Sequence, residues 1–252
     1  MPSYKKVFIT GAKGTLGTEL REQLDKYCIP YVATNGEIDV RNFSLVYDAI
    51  HKSKCDVVIH CAAMTDVARC EIDKQLAYNV NVLGTINVAQ VCSELDKFMV
   101  LPSTDYVYRG DKKYEGDGRV GNYATHDYLD PINYYALTKT LADVAVQHRL
   151  PYSSLILRMS FKQKGPWPYP KAFVDQYTSR DTVDVLANQI LQCLFGQYGG
   201  VVHLGTERKT VFELAKRQSP DVQPISIKDI KDVILPTDTS LRLDREIPEG
   251  VL

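Results

Sequence analysis

Apolar positions along this chain fall into two spacings. Short apolar runs at 6–10, 30–34, 56–60, 97–102 and 153–158 have the length of buried strands. Between them lie stretches with helical spacing. Leu16, Leu20 and Leu24 recur at i, i+4 and i+8, which predicts a helix over 15–27. A second helix is expected over 43–51, with Ser44 as candidate N-cap. A single long helix is expected over 74–95 and another over 133–148. Strand and helix thus alternate, which predicts an α/β fold: a doubly wound parallel sheet with helices on both faces.

The pattern changes after Met159. Residues 164–170 read as a proline-rich loop, 183–195 as a helix, 200–204 as a strand and 210–216 as a short helix, with 236–252 mostly irregular. The chain is therefore divided into a sheet domain over 1–160 and a small, dependent lobe over 161–252. Residues 109–130 form a long loop between a strand and a helix, where ligands often bind.

Composition narrows the function classes. A 252-residue chain has room for one large α/β domain with a small appendage. Its net charge of −1 gives no electrostatic argument for a nucleic acid polymer or an anionic membrane. No apolar stretch approaches the ~18 residues of a membrane span, and no secretory signal segment is visible. Six cysteines are scattered without CxxC or metal spacing, so no metal site is expected and a reducing, cytoplasmic setting is the simplest reading.

Two motifs carry the chemistry. Gly11, Gly14 and Gly17 follow a strand and open a helix, a context that suits a pyrophosphate lying on backbone N–H groups at a helix N-terminus. The spacing is GxxGxxG rather than GxGxxG, and a tight turn with no ligand is the bland alternative. Lys13 within the turn is either a phosphate partner or a solvated surface lysine. No Asp or Glu stands at 33–35 to hold a ribose 2′-hydroxyl, which leans towards NADP(H) over NAD(H). Asp39 and Val40 follow at a distance suited to edging an adenine.

Tyr135 and Lys139 lie four apart on a predicted helix, so they share one face. A phenol starts near pKa ~10, and use near neutrality needs a shift of roughly 3 units, or ~4 kcal/mol. One ammonium at ~4 Å supplies about that at an intermediate effective dielectric. The pair is thus expected to make Tyr135 a proton donor and acceptor.

Together with the segments 56–63, 79–85, 103–108 and 155–158, these residues resemble the extended short-chain dehydrogenase/reductase family, with its Rossmann-like fold. Within it the chain is similar to the dTDP-4-dehydrorhamnose reductase branch. The matching pieces occur in family order and cover residues 5–160. The resemblance implies hydride transfer between a nicotinamide and a sugar carbonyl. It makes Tyr135 the proton donor, Lys139 the ribose holder and pKa-lowering cation, and Thr104 a hydrogen-bond partner of the reacting oxygen. Thr15 and Leu16 join the three glycines at the cofactor, Cys61, Ala62 and Ala63 line it, and Asn81 supports the site.

Thr65, Val67 and Tyr106 are expected to face the substrate. Trp167 either stacks on a base or sugar ring or anchors the lobe. Arg69 either meets a phosphate or is simply exposed, and Arg158 is read as structural. Related 4,6-dehydratases place Glu where Tyr106 stands, which argues against dehydration. The expected activity is NAD(P)H-dependent reduction of a nucleotide-linked 4-keto-6-deoxy sugar. An epimerase on the same scaffold and a non-catalytic NADP-binding regulatory subunit are the alternatives. The two long helices imply a homodimer.

Overall fold

The computed structural model describes residues 4–112 and 122–243. In chain order the first half runs β1 (Val7–Thr10), α1 (Thr15–Lys26), β2 (Tyr31–Ala33), α2 (Phe43–Ser53), β3 (Val57–His60), α3 (Val67–Ile72), α4 (Lys74–Tyr78), a π-helical turn (Asn79–Leu83), α5 (Gly84–Glu94) and β4 (Phe98–Pro102). A 3₁₀ turn (Asp105–Val107) precedes α6 (Tyr134–Arg149) and β5 (Ser154–Arg158). Then come β6 (Phe161–Lys162), β7 (Lys171–Phe173), β8 (Tyr177–Thr178), β9 (Asp181–Thr182), α7 (Val183–Phe195), β10 (Gly200–His203), β11 (Lys209–Thr210), α8 (Val211–Gln218) and β12 (Gln223–Ile225).

Six strands form one parallel sheet in the order β2-β1-β3-β4-β5-β10. Strand side chains point alternately to its two faces. Val7, Ile9, Val57 and Ile59 pack on one face with Leu16, Leu20 and Leu24 of α1 and with α7. Phe8, Val58, Met99 and Leu101 pack on the other with α2, α5 and α6. Both faces are covered, which is why the strands read as unbroken apolar runs rather than alternating ones. Leu20 is fully buried, so truncating it to Ala costs roughly 2–5 kcal/mol.

The chain leaves β1 towards β2 on one side and returns through β3 on the other. That reversal opens a crevice beyond the carboxyl ends of β1 and β3, where ligands of such sheets bind. The α/β, Rossmann-like architecture agrees with the expectation from the apolar pattern.

Several expectations change. Strand β10 completes the main sheet beside β5, and α7 packs on α1. A cut at residue 160 therefore does not separate sheet from lobe. The apolar pattern located this helix and strand, but not the sheet they join. The small lobe is built instead from β7 with β12, β8 with β11, and α8. The N-cap of α2 is Asn42, whose side chain accepts the Leu45 N–H; Ser44 lies inside the helix.

The long helix expected over 74–95 is interrupted by the π turn, and α3 is an additional helix ahead of it. The π turn has a local cause in Asn81, which is buried at its centre. Its Oδ1 accepts from Met64 N at 2.7 Å, and its Nδ2 donates to Met64 O at 3.0 Å and Thr138 Oγ1 at 2.9 Å. A one-residue widening of the helix aims this amide inward.

Within the loop expected over 109–130, the Tyr123 hydroxyl accepts the N–H groups of Gly110, Asp111 and Lys112. Residues 113–121 of that loop, and 244–252 of the irregular tail, lie outside the described residues.

Candidate active site

The glycine turn sits at the mouth of the crevice. Gly11 has φ +64°, and a Cβ there would lie 2.6 Å from Ala62 N. A Cβ on Gly17 would lie 2.6 Å from Gly11 O. Only glycine permits this close approach of strand, turn and helix. Gly14 caps α1 without any side-chain hydrogen bond, so the first N–H groups of a 12-residue helix face the crevice with their partial positive charge. Thr15 and Leu16 continue the same wall. The turn thus has the shape and the free donors that a dinucleotide pyrophosphate requires.

The flanking residues stand as follows in the structure. Lys13 is exposed, and its N–H meets Asn35 Oδ1 at 3.4 Å. Its charge reaches Glu37, a carboxylate that the sequence reading did not place. Backbone N–H groups of Glu37 and Asn35 hold that carboxyl below the usual range, and Lys13 adds to the effect. Asp39 is engaged by Arg41 through a 2.7 Å ion pair rather than turned to the crevice. Val40 is buried, and a Cβ on Gly84 would collide with its Cγ2, so Val40 packs against the α5 start.

Below the turn, a row of buried polar groups runs from β1 to α6. Thr10 and His60 are register partners on β1 and β3. Ala62 N donates to Thr10 Oγ1, which lies 2.8 Å from His60 Nδ1. On the other side, His60 Nε2 meets Thr85 Oγ1 at 3.2 Å, and Thr85 donates to Asn81 O at 2.7 Å. The Thr85 proton is thereby committed, so Nε2 carries the imidazole proton and Nδ1 accepts from Thr10. Burial, with the Lys139 charge adding to it, drives His60 down to about 3. It is neutral at physiological pH.

Thr104, Tyr135 and Lys139 converge on the crevice floor. Asn133 caps α6 by accepting the Ala136 N–H at 2.8 Å, which fixes the helix start just ahead of Tyr135. Lys139 Nζ donates to Pro102 O at 2.8 Å, tying α6 to the end of β4. The Thr104 hydroxyl accepts the Tyr106 N–H at 3.2 Å.

The sequence argument expected Lys139 to lower the Tyr135 pKa. In the structure burial raises the phenol above its usual range, and a Thr104 hydrogen bond opposes the rise. The neighbouring charges of Asp105, Cys70 and Tyr106 raise it further. Lys139 is itself pulled down by burial, with Asp143 and Cys61 acting against that shift. Its ammonium is bonded to the Pro102 carbonyl, and burial outweighs the effects that lower the phenol. Asp143 in turn pairs with Arg158 at 3.1 Å, and both side chains are almost fully buried. Arg158 is therefore structural, as read from its strand-end position.

The crevice encloses about 720 Å³. Cys61, Ala63, Thr65, Val67, Thr104 and Tyr106 all line it. Ala62 and Asn81 do not; their hydrogen bonds go to Thr10, and to Met64 and Thr138, which stand behind the lining. Trp167 also stands away from the crevice: it is buried in the lobe core with Ala172, Val211 and Leu214, and its indole N–H donates to Lys171 O at 3.3 Å. The lobe-anchoring alternative for Trp167 is thus the one observed. Arg69 lies on the exposed side of α3.

Sequence reasoning missed the far wall, formed by Ser160, Phe161, Lys162, Tyr169 and Arg180. These residues follow the last recognisable motif, and nothing in their spacing brings them into one crevice with Tyr135. Beneath them, the buried Asp105 carboxylate accepts hydroxyl hydrogen bonds from Ser160, Thr178 and Thr239. Among the described residues, no cluster of three His, Cys, Asp or Glu is arranged to hold a metal, and no helix is long and apolar enough to cross a membrane.

Comparison with known proteins places the chain in a family. The family model described as the RmlD substrate binding domain matches residues 5–193. The chain belongs to the RmlD family. Among its relatives, the dTDP-4-dehydrorhamnose reductase of Aggregatibacter actinomycetemcomitans is 29% identical over 84% of this chain and 68% of its own length. A dTDP-4-keto-6-deoxy-D-glucose reductase of Streptomyces niveus is 30% identical over 72% of this chain and 61% of its own. The chain spans about half to two thirds of the length of the curated RmlD-family relatives it matches. Among solved structures, dTDP-4-dehydrorhamnose reductase from Bacillus anthracis in complex with NADP superposes with a TM-score of 0.85 at 25% identity, covering 95% of this chain and 91% of that one.

Proposed function

We propose that this RmlD-family chain reduces the 4-keto group of a nucleotide-linked 6-deoxy sugar, using NADPH in preference to NADH. The observation that carries the reading is the convergence of Thr104, Tyr135 and Lys139 on the same crevice as the uncapped glycine turn. Gly11, Gly14 and Gly17 leave room for the dinucleotide pyrophosphate, and the α1 N-terminus attracts its charge. When bound, the dinucleotide supplies a hydride to the sugar carbon. Thr104 and Tyr135 hold the carbonyl oxygen from one side. Tyr135 then delivers its proton to that oxygen, and its raised pKa keeps the proton in place until the oxygen becomes basic. Lys139, fixed by Pro102 O, holds the floor of the site and the nicotinamide ribose.

The preference for NADPH rests on Lys13 at the turn, on the absence of an acid at 33–35, and on the NADP complex of the Bacillus anthracis relative. Tyr106 occupies the position where dehydratases carry Glu, and its hydroxyl is bonded by Gln176 Nε2 at 3.1 Å. That supports reduction over elimination.

Two further properties belong to the same reading. Leu137, Leu141 and Val144 form an exposed apolar row along α6 beside Leu83, which fits a helix-to-helix homodimer. The buried thiols of Cys55, Cys70 and Cys92 fit a reducing cytoplasm.

The test follows NADPH and NADH consumption by near-ultraviolet absorbance, with dTDP- and UDP-linked 4-keto-6-deoxyglucose offered with and without a 3,5-epimerase. Oxidation that depends on the keto sugar establishes the reductase. Cofactor binding without oxidation on any of these sugars removes this reading.

A further inference from the structure

One buried carboxylate beneath the crevice is left unused by the proposed reaction. Asp105 directly follows Thr104 and is 1% exposed. Its Oδ2 accepts three hydroxyl hydrogen bonds, from Ser160 at 2.8 Å, Thr178 at 3.3 Å and Thr239 at 2.8 Å. These donors arrive from three places: the turn after β5, strand β8 and the segment that follows β12. The other oxygen, Oδ1, faces a fourth hydroxyl, Thr104 Oγ1, at 3.4 Å. The charge of Asp105 also acts on Arg180. Two of the same hydroxyls stand between them, since Ser160 Oγ accepts from Arg180 Nε at 3.2 Å and Thr178 Oγ1 accepts the Arg180 N–H at 3.0 Å.

Burying a charge is costly, and packing alone is served as well by an apolar side chain of similar volume. A carboxylate does something else here: it accepts from every side and brings no proton of its own. With Oδ2 taken up by three hydroxyls from distant segments, Asp105 is pinned, and Oδ1 stays aimed at Thr104. Thr104 is held from a second direction by the Tyr106 N–H, which its oxygen accepts at 3.2 Å. Its hydroxyl in turn hydrogen-bonds the Tyr135 phenol. Asp105, Thr104 and Tyr135 thus stand in series, a reacting pair oriented by a third, buried group. The 3.4 Å contact is longer than an ordinary O–H···O hydrogen bond. The Thr104 proton is therefore free to turn to a carbonyl oxygen without giving up a strong partner.

We infer that Asp105 is a positioning residue for the reduction: pinned by Ser160, Thr178 and Thr239, it sets the direction of the Thr104 hydroxyl beside Tyr135. This rests on the reduction reading above and adds a residue that acts through Thr104. It also makes the part of the chain beyond β5 a partner in the catalytic arrangement, because every tether on Asp105 comes from there.

The test is a double-mutant cycle on keto-sugar reduction, read as NADPH oxidation with enzyme in excess over sugar so that slow variants are measured. In Asp105→Asn the three hydroxyls keep the amide oxygen on their side, which turns the amide N–H groups on Thr104 where the carboxylate accepted. The reduction rate is expected to fall by up to about 10²-fold, the cost of a misplaced reacting group. In a Thr104→Val background the same substitution is expected to cost no more than about twofold, because the hydroxyl it directs is gone. NADPH affinity by calorimetry, and the emission of Trp167, the one tryptophan of the chain, are expected to match the parent. A variant that departs from the parent in either counts as misfolded. Thr239→Val, which removes one tether at almost the same volume, is then carried through the same cycle and read in the same way, with a smaller loss expected. Equal losses in the two backgrounds overturn the inference and leave Asp105 a packing residue, as does an unchanged rate in Asp105→Asn. A parent that reduces no keto sugar removes the reduction reading and this inference with it. A parent that reduces, with additive variants, keeps the reading and removes the inference alone.

Discussion

Thr10 Oγ1 and His60 Nδ1 stand 2.8 Å apart at the carboxyl ends of β1 and β3. Their contact joins the glycine turn to the polar row that ends at Asn81 and α6. His60 is neutral here because burial drives its pKa to about 3. In an unfolded chain the imidazole titrates near ~6.5. Between those values the unfolded state binds more protons, so stability rises with pH and is lost as pH falls from about 6.5 towards 3. The slope contributed by one such group approaches ~1.4 kcal/mol per pH unit. Urea unfolding at a series of pH values measures it. A His60→Asn variant, which keeps a polar group in the row, is expected to flatten that acid-side fall; an unchanged slope would assign the loss to other groups.

Tyr135→Phe removes the proton donor and leaves the glycine turn untouched. Turnover on the keto sugar is expected to fall by about 10²–10⁴-fold, the usual worth of a positioned general acid. NADPH binding by calorimetry should stay near the parental value. Substantial residual turnover would falsify the role given to Tyr135.

Lys13 and Glu37 face one another across the turn after β2, as the effect of Lys13 on the Glu37 carboxyl records. In the proposed cofactor pose, the pair would set the charge beside the adenosine ribose. Lys13→Ala is expected to weaken NADPH several-fold more than NADH, and Glu37→Gln to shift the ratio towards NADPH. Dissociation constants for the two cofactors at fixed, low salt measure both effects, since an exposed charge is screened by ions. A ratio unaffected by either change removes Lys13 from cofactor selection.

On α6, Leu137, Leu141 and Val144 are 38%, 39% and 53% exposed. Placing a charge in that row by Leu141→Asp is expected to give a monomer in light scattering where the parent is a dimer. The substitution is at the surface, so the melting temperature of the monomer should fall only as far as loss of the partner requires. A parent that is already monomeric at micromolar concentration overturns the homodimer.

Much of the framework was legible because each strand of the first half is a closed apolar run and each helix carries its own spacing. The glycine turn was legible for a steric reason: Gly11 and Gly17 leave no room for a Cβ. Other features depend on contacts distant in sequence. The π turn at Asn81 accompanies hydrogen bonds to Met64 and Thr138, and the sequence around Asn81 does not name those partners. Trp167 looked like a stacking platform or an anchor from its type alone; the choice is made by Val211 and Leu214, more than forty residues later. Lys162 and Arg180 were invisible as a pair until β6 met β9. The expected depression of the Tyr135 pKa failed because helical spacing fixes which face a lysine shares, not how deeply the phenol is buried, and burial outweighs the effects that lower it.

Strand β10 lies beside β5 at the margin of the main sheet, although residues 159–199 stand between them in sequence. The small lobe is thus not a module appended to a finished sheet. A chain cut after β5 would expose the ladder of Leu155 and Leu157 as a sticky rim, prone to self-association. Recombination that exchanged only the second part of the chain would have to replace a sheet strand along with the crevice wall. Change confined to the excursions between β5 and α7, or after β10, would instead reshape that wall while leaving the folding unit intact.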